Sequence, residues 1–234
     1  MSDPGHVERE VKLDADPDLV LPDLAASVPE ASVRRRGAVD LDATYYDAAD
    51  LRLLDRGITV RRRTGEGTHW TVKVPEDLSP GGVLSGGVSP GAPTADAPTA
   101  DTPALARRET DVVDEATEPP DLVRHLVDPW LAGADLVAVA RLVSARDRLD
   151  VRPAGSDLVV AEVDDDLVVV FADGHEVGRF REIEIELADG LSAADAATAT
   201  RLVDAVTDEL VAAGARRGAM RPKVDRALAM IGRV

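Results

Sequence analysis

Six short stretches of this chain carry charge in a pattern that can do chemistry. "EREVK" sets Glu8, Glu10 and Lys12 at alternate positions; "AEVDDD" does the same with Glu162 and Asp164, and "REIEIEL" with Glu182, Glu184 and Glu186. "VRRRT" aligns Arg61 with Arg63, "WTVKV" puts Lys73 beside Thr71, and "SARDR" aligns Arg146 and Arg148 with Ser144. Successive side chains of a strand point to opposite faces, so each set shares one face. The intervening residues, such as Trp70, Val72 and Val74 or Ile183 and Ile185, form the apolar one. Acids gather with acids and cations with cations, strand by strand. If these faces line one interior, that interior cannot be dry, because burying an ion costs several kcal/mol. Its contents must use both signs. Clustered Arg and Lys suit phosphate oxygens, and clustered carboxylates suit a hard divalent cation such as Mg2+ or Mn2+. Together they point to a polyphosphate whose charge is neutralised from both sides.

The elements that must position these groups are mostly strands. After residues 7–13 come "VDLDATYYD", "GITVRRRT", "HWTVKVP", "ALARRETDVV", "VARLVSARDRLDV", "DLVVAEVDDD", "LVVVFAD" and "GRFREIEIEL". Turn signals such as "TGEGT", "PAGSD" and "ADGHEVG" punctuate them. Eight or nine strands at this spacing imply an antiparallel sheet, with a barrel as one way to close its edges. Helical patterns are fewer. "DLVLPDLAASV" is a weak one, and "PPDLVRHLVDPWLAG" should be kinked or ended by Pro129. "SAADAATATRLVDAVTDELVAAGA" has Ser192 to cap it, Asp195 at the capping-box position and Gly214 to end it. "PKVDRALAMIG" opens on Pro222, suited to a first turn. Residues 76–103 are poor in large apolar residues and contain the direct repeat "APTADAPTAD". Such a segment cannot bury enough surface to offset its ordering entropy, and reads as a disordered insertion within a single domain spanning 1–234.

The bulk composition narrows the partners. A formal charge of -17 over 234 residues excludes the broad basic field that nucleic acids or anionic membranes require, though not a small enclosed basic site. The absence of cysteine rules out disulfides and thiolate metal sites. The polar start "MSDPGHVERE" is no signal peptide and no apolar run reaches the length of a membrane span, so a cytoplasmic location is expected. His6, His69, His125 and His175 show no ligand spacing. Of the 27 Lys and Arg, only Lys12, Lys73 and Lys223 are lysine, which suggests that lysine persists where a compact point charge is wanted.

The ordered series "EREVK", "ATYYD", "VRRR", "WTVK", "RRE", "SAR", "AEVDDD", "EIEIE" and a late "PK" resembles the CYTH domain of the triphosphate tunnel metalloenzymes, over about residues 6–230. The CYTH domains often fused to CHAD domains are most similar, although this chain has no room for a CHAD domain. The resemblance implies an α+β, mainly β fold: a closed eight-stranded antiparallel β-barrel, or tunnel, with flanking helices. It implies that Glu8, Glu10, Glu184 and Glu186 bind metal, with Glu162 and Asp164 as a further acidic pair. Lys12, Arg61, Arg63, Lys73, Arg146 and Lys223 then correspond to the phosphate-gripping cations. Glu109 and Glu182 are further tunnel acids, and Lys12 with Tyr45 resembles a pair tied to catalysis in hydrolytic members. Val143 stands where close relatives are often basic.

The activity this implies is metal-dependent hydrolysis of inorganic triphosphate or another triphosphorylated compound, releasing orthophosphate, with Mg2+ or Mn2+ as cofactor. The same cations would serve a non-catalytic module that only binds inorganic polyphosphate. A class IV-type adenylyl cyclase would need a nucleobase pocket, which an aromatic content of 3% does not favour. A monomer or homodimer is expected.

Overall fold

The structure is a computed structural model that describes residues 6–78, 105–218 and 221–234. All but the first three residues of the 76–103 insertion therefore lie outside the described residues. Glu76–Leu78 form a short 3-10 turn.

The described chain is mainly antiparallel β-sheet. Its strands are β1 (His6–Ala15), β2 (Ala31–Asp47), β3 (Thr59–Thr64), β4 (His69–Pro75), β5 (Leu105–Val113), β6 (Val137–Pro153), β7 (Ala161–Ala172), β8 (His175–Leu187) and the two-residue β9 (Arg216–Arg217). The spatial order is β5-β4-β3-β2-β6-β7-β8-β1-β9, and β1 also pairs with β5. Four helices accompany it: α1 (Leu24–Ser27), α2 (Asp121–Leu131), α3 (Ala193–Ala212) and α4 (Lys223–Ile231). None is long and apolar enough to cross a membrane.

Several elements differ from expectation for local reasons. The two stretches read as separate strands around Asp164–Asp166 are one, β7, because its backbone pairing with β6 and β8 runs through Asp164–Asp166 without a register shift. The weak helix at 18–28 shrinks to the four residues of α1, since Pro22 has no N–H to give a preceding turn. Pro129 falls in the last turn of α2, which ends two residues later at Leu131. Ser192 caps α3 as its spacing indicates, its Oγ accepting from the Asp195 N–H and donating to the Asp195 carboxylate. In β2 a register shift between Arg35 and Gly37 against β6, with Gly37 at φ +133°, marks a bulge that turns Arg36 out of the alternation.

One face of the sheet is apolar. Leu13, Val151, Val163, Ile183 and Ile185 pack under Leu202, Val206 and Leu210 of α3, while Val60, Trp70 and Val72 pack under Val123 and Val127 of α2. The other face carries the charges, but only along part of its length. Beyond Glu182 the same face of β8 presents Phe180, which is buried with Leu142, Val168, Val170 and Tyr45 against Val224, Ala227 and Leu228 of α4. α4 therefore fills one end of the ionic face, and each large apolar side chain buried there contributes about 1.5–3 kcal/mol. Asp47 fixes the turn that returns β2 to β3: its buried carboxylate accepts from the N–H groups of Ala48, Leu53 and Leu54 at 2.6, 3.0 and 2.9 Å.

Candidate functional site

Strand register sorts the acids into rows. Glu10 of β1 lies opposite Glu186 of β8, which lies opposite Glu162 of β7, itself opposite Asp150 of β6. Two residues along, Lys12, Glu184, Asp164 and Arg148 form the next row, and Asp14, Glu182, Asp166 and Arg146 the third. On the far strands Tyr45 pairs with Arg61, and Thr59 with Lys73, which in turn lies opposite Glu109. All of these except Asp14, Asp150, Asp166 and Glu182 line one cavity of about 260 Å³, with Arg107, Glu66 and Pro222 also in its lining.

The lysines and acids neutralise one another. Lys12 pairs with Glu184, with Glu10 at 3.2 Å and with Glu182 at 3.5 Å. Burial opposes its charge, but these carboxylates outweigh it and hold Lys12 above the usual lysine range. Lys223, delivered by the first turn of α4, reaches Glu184 at 2.5 Å, Asp166 at 2.8 Å and Glu182 at 3.2 Å. Glu184 therefore titrates well below the usual carboxylate range, because Lys12, Lys223 and Arg146 overcome its burial. Glu182 and Asp164 go the other way, raised chiefly by burial. Arg146 forks onto Asp166 at 2.8 and 2.6 Å and also pairs with Asp164.

The cation wall is different. Burial opposes the charge of Arg61, but Tyr45 and Glu109 beside it outweigh that and hold it above its usual range. Arg63 is crowded by Arg61, buried, and faced by Arg146, which together pull it down to about 10; its Nη2 meets His69 Nε2 at 3.1 Å. The Nε atoms of Arg61, Arg63 and Arg148 are buried without a hydrogen-bond partner. Guanidinium donors left over in a polar cavity have the chemistry to take anionic oxygens.

Whether a cation fits depends on the acids. Among the described residues no three acidic or histidine side chains are arranged as a metal cage. The donors are nevertheless hard oxygens of the right type: Glu10, Glu162, Asp164, Glu184 and Glu186 all line the cavity, and Asp164 Oδ1 is buried with no hydrogen-bond partner. This donor set fits a hard divalent ion.

The structure brings Glu10, Lys12, Tyr45, Arg61, Arg63, Lys73, Glu109, Arg146, Glu162, Asp164, Glu184, Glu186 and Lys223 to the cavity. Glu182 stands behind it, buried against Lys12 and Lys223. The side chain of Glu8 lies outside the described part, although its backbone pairs with Arg107. Lys12 turns to the acids, while Tyr45 lies opposite Arg61 in the β2–β3 register. Sequence reading missed Arg107, Asp166 and Glu66. Arg107 has the parity of Glu109, and Asp166 that of Asp164, so the alternation rule already contained both. Glu66 sits in a turn, where alternation says nothing.

The CYTH domain family model matches residues 7–211. Similar solved structures include a candidate adenylate cyclase from Bacillus halodurans, with TM-score 0.54 and 14% identity, covering 95% of this chain and 97% of that one. A protein from Pyrococcus horikoshii OT3 gives TM-score 0.48 and 17% identity over 95% and 98% of the two chains. A Hippeastrum protein, described as a candidate adenylyl cyclase with a dominant triphosphatase activity, gives 0.47 and 14% over 97% of each. No curated protein matches the chain.

Proposed function

Because the chain belongs to the CYTH domain family, we propose that it is a metal-dependent triphosphatase acting on inorganic triphosphate or a similar triphosphorylated compound. On this reading β1–β8 form a closed eight-stranded tunnel; the pairing of β1 with both β8 and β5 supports it. A single observation carries the substrate class: buried, unpartnered guanidinium donors of Arg61 and Arg63 share one cavity with rows of carboxylates.

A divalent ion such as Mg2+ or Mn2+, held by Glu10, Asp164, Glu184 and Glu186 with Glu8 and Glu162 beside them, would supply charge neutralisation at the phosphoryl oxygens. The chain's own groups do the positioning. Arg61, Arg63, Lys73, Arg146 and Lys223 hold the phosphate chain in line and stabilise the charge that builds on the leaving oxygen. On this reading Lys12 and Tyr45, both in the lining of the cavity, orient a water toward the terminal phosphorus. The new P–O bond forms as the bridging P–O bond breaks, and tripolyphosphate yields orthophosphate and pyrophosphate.

A second reading, a module that holds polyphosphate without turnover, is favoured by one observation: Lys12 and Lys223 already neutralise Glu184. Phosphate release from tripolyphosphate, ATP and thiamine triphosphate, each with Mg2+ or Mn2+, separates the two. The triphosphatase reading expects metal-dependent release, and a loss of roughly 10–100-fold in Glu184→Gln with tripolyphosphate binding retained by calorimetry. Tight binding without release in the parent protein would establish the module.

A further inference from the structure

The turn between β3 and β4 is held in a form that only glycine permits. Gly65 has φ +120°, and a Cβ there would lie 2.2 Å from the Asp40 carbonyl oxygen of β2; Gly67 has φ +83°. The turn is thereby fixed close against β2, and its tip presents Glu66 to the cavity. The Glu66 carboxylate pairs with Arg148 Nη2, while Arg148 Nε is buried with no partner. Arg148 belongs to the ionic face, opposite Asp164.

The position of this pair along the cavity matters. Side-chain exposure is 1% at Asp166 and 8% at Lys223, near α4, but 18% at Arg148, 35% at Glu66 and 36% at Glu162. The α4 end is filled by apolar side chains, so Glu66 stands at the open end. From the Asp166 row to the Glu162 row is four residues of strand, roughly 13 Å. A phosphate chain that fills this length and continues outward must carry its next anionic group past Glu66.

We propose, on the basis of the triphosphatase or phosphate-binding reading of this cavity, that Glu66 is a specificity-determining residue. It pairs with Arg148 and repels any substrate whose negative charge extends beyond the cavity. Discrimination by a like charge at a rim costs the preferred ligand little and penalises its competitor. Long-chain inorganic polyphosphate is the penalised class. A nucleoside triphosphate extends outward through a neutral ribose and base, and serves as the internal comparison.

The test measures Kd by calorimetry and kcat/KM by phosphate release for tripolyphosphate, long-chain polyphosphate and ATP, at fixed free metal and salt. Glu66→Gln should raise use of long-chain polyphosphate relative to tripolyphosphate by on the order of tenfold, and Glu66→Lys by more. The ATP to tripolyphosphate ratio should stay as it was. Glu176→Gln, an exposed acid paired with Arg179 in the β7–β8 hairpin, removes the same charge elsewhere and should change no ratio. If both Glu66 variants leave the polyphosphate ratio unchanged while tripolyphosphate still binds, the rim role is overturned and the cavity reading stands. If the parent protein neither binds nor hydrolyses tripolyphosphate, the cavity reading fails and the rim role with it.

Discussion

Asp166 shows how much one buried carboxylate decides. It is fully buried and joins two cations from different elements, Arg146 of β6 at 2.8 and 2.6 Å and Lys223 of α4 at 2.8 Å. Burial works to raise its pKa, but Lys223 and Arg146 prevail and hold it below the usual range. A carboxylate lowered in the folded state adds stability above its unfolded pKa, near 4, and loses it as pH falls through the folded value. Glu184 is lowered for the same kind of reason. Lys12 and Lys223 are raised, so their contribution is fully present below the ordinary lysine value near 10.5 and is lost only as pH climbs past the folded one. Asp166, Glu184, Lys12 and Lys223 therefore stay ionised from mildly acid to alkaline pH. Glu182 and Asp164, raised by burial, take up protons sooner, and the network fails first on the acid side. Asp166→Asn should destabilise the protein by roughly 3–5 kcal/mol at neutral pH, because two buried cations lose their shared partner. Urea unfolding of parent and variant between about pH 3 and 7 is the measurement, and the difference should shrink toward the acid end. A difference that does not change with pH would mean that the carboxylate is not ionised in the native network.

At the scale of elements, alternation was legible wherever a strand kept its period. Ile183 and Ile185 do face α3, and Glu184 and Glu186 the cavity. The rule could not see where the ionic face ends, because Phe180, Val170 and Leu142 share its parity but are covered by α4. Parity tells which side chains lie together, not what packs on them. Nor could it follow Arg36 across the bulge at Gly37, after which that guanidinium reaches Glu162 at 2.6 and 2.8 Å. The pairing of β1 with β5 joins strands about a hundred residues apart, and no local signal encodes it. The connection between β4 and β5, by contrast, can be judged from its anchors. Pro75 lies opposite Arg107, so a short hairpin loop can span the gap. Deleting 79–102 keeps the 3-10 turn at Glu76–Leu78 and removes chain whose closure entropy grows only slowly with length. The deletion variant should fold with a similar melting temperature and retain tripolyphosphate turnover to within several-fold. A collapse of the thermal transition would show that the removed residues supply packing.

At the scale of the whole molecule, a cavity lined with Arg and Lys sits in a protein of formal charge -17. The two act over different distances. An approaching tripolyphosphate first meets the summed negative field, which reaches about 30 Å at 10 mM salt but only about 8 Å at 150 mM. Once at the cavity it meets Arg148, Arg107, Arg61, Arg63 and Lys73, whose contact interactions lie within a screening length and are partly shielded from bulk ions. At the rim, exposed Arg36 is tied to Glu162 of the lining and Arg148 to Glu66, so much of their field is already cancelled. Added salt should then weaken the long-range repulsion more than the short-range grip. An ordinary cationic site shows the reverse, losing affinity steadily as rising salt shrinks the entropy gained from each released counterion. The expected outcome is that kcat/KM for tripolyphosphate rises, by roughly three- to tenfold, as NaCl goes from about 10 to 150 mM at fixed free metal, with kcat itself little changed. At higher salt the contact interactions are screened in turn and the curve should bend over. A steady fall from the lowest salt onward would mean that the rim arginines, and not the net charge, set the field that the substrate meets on its way in.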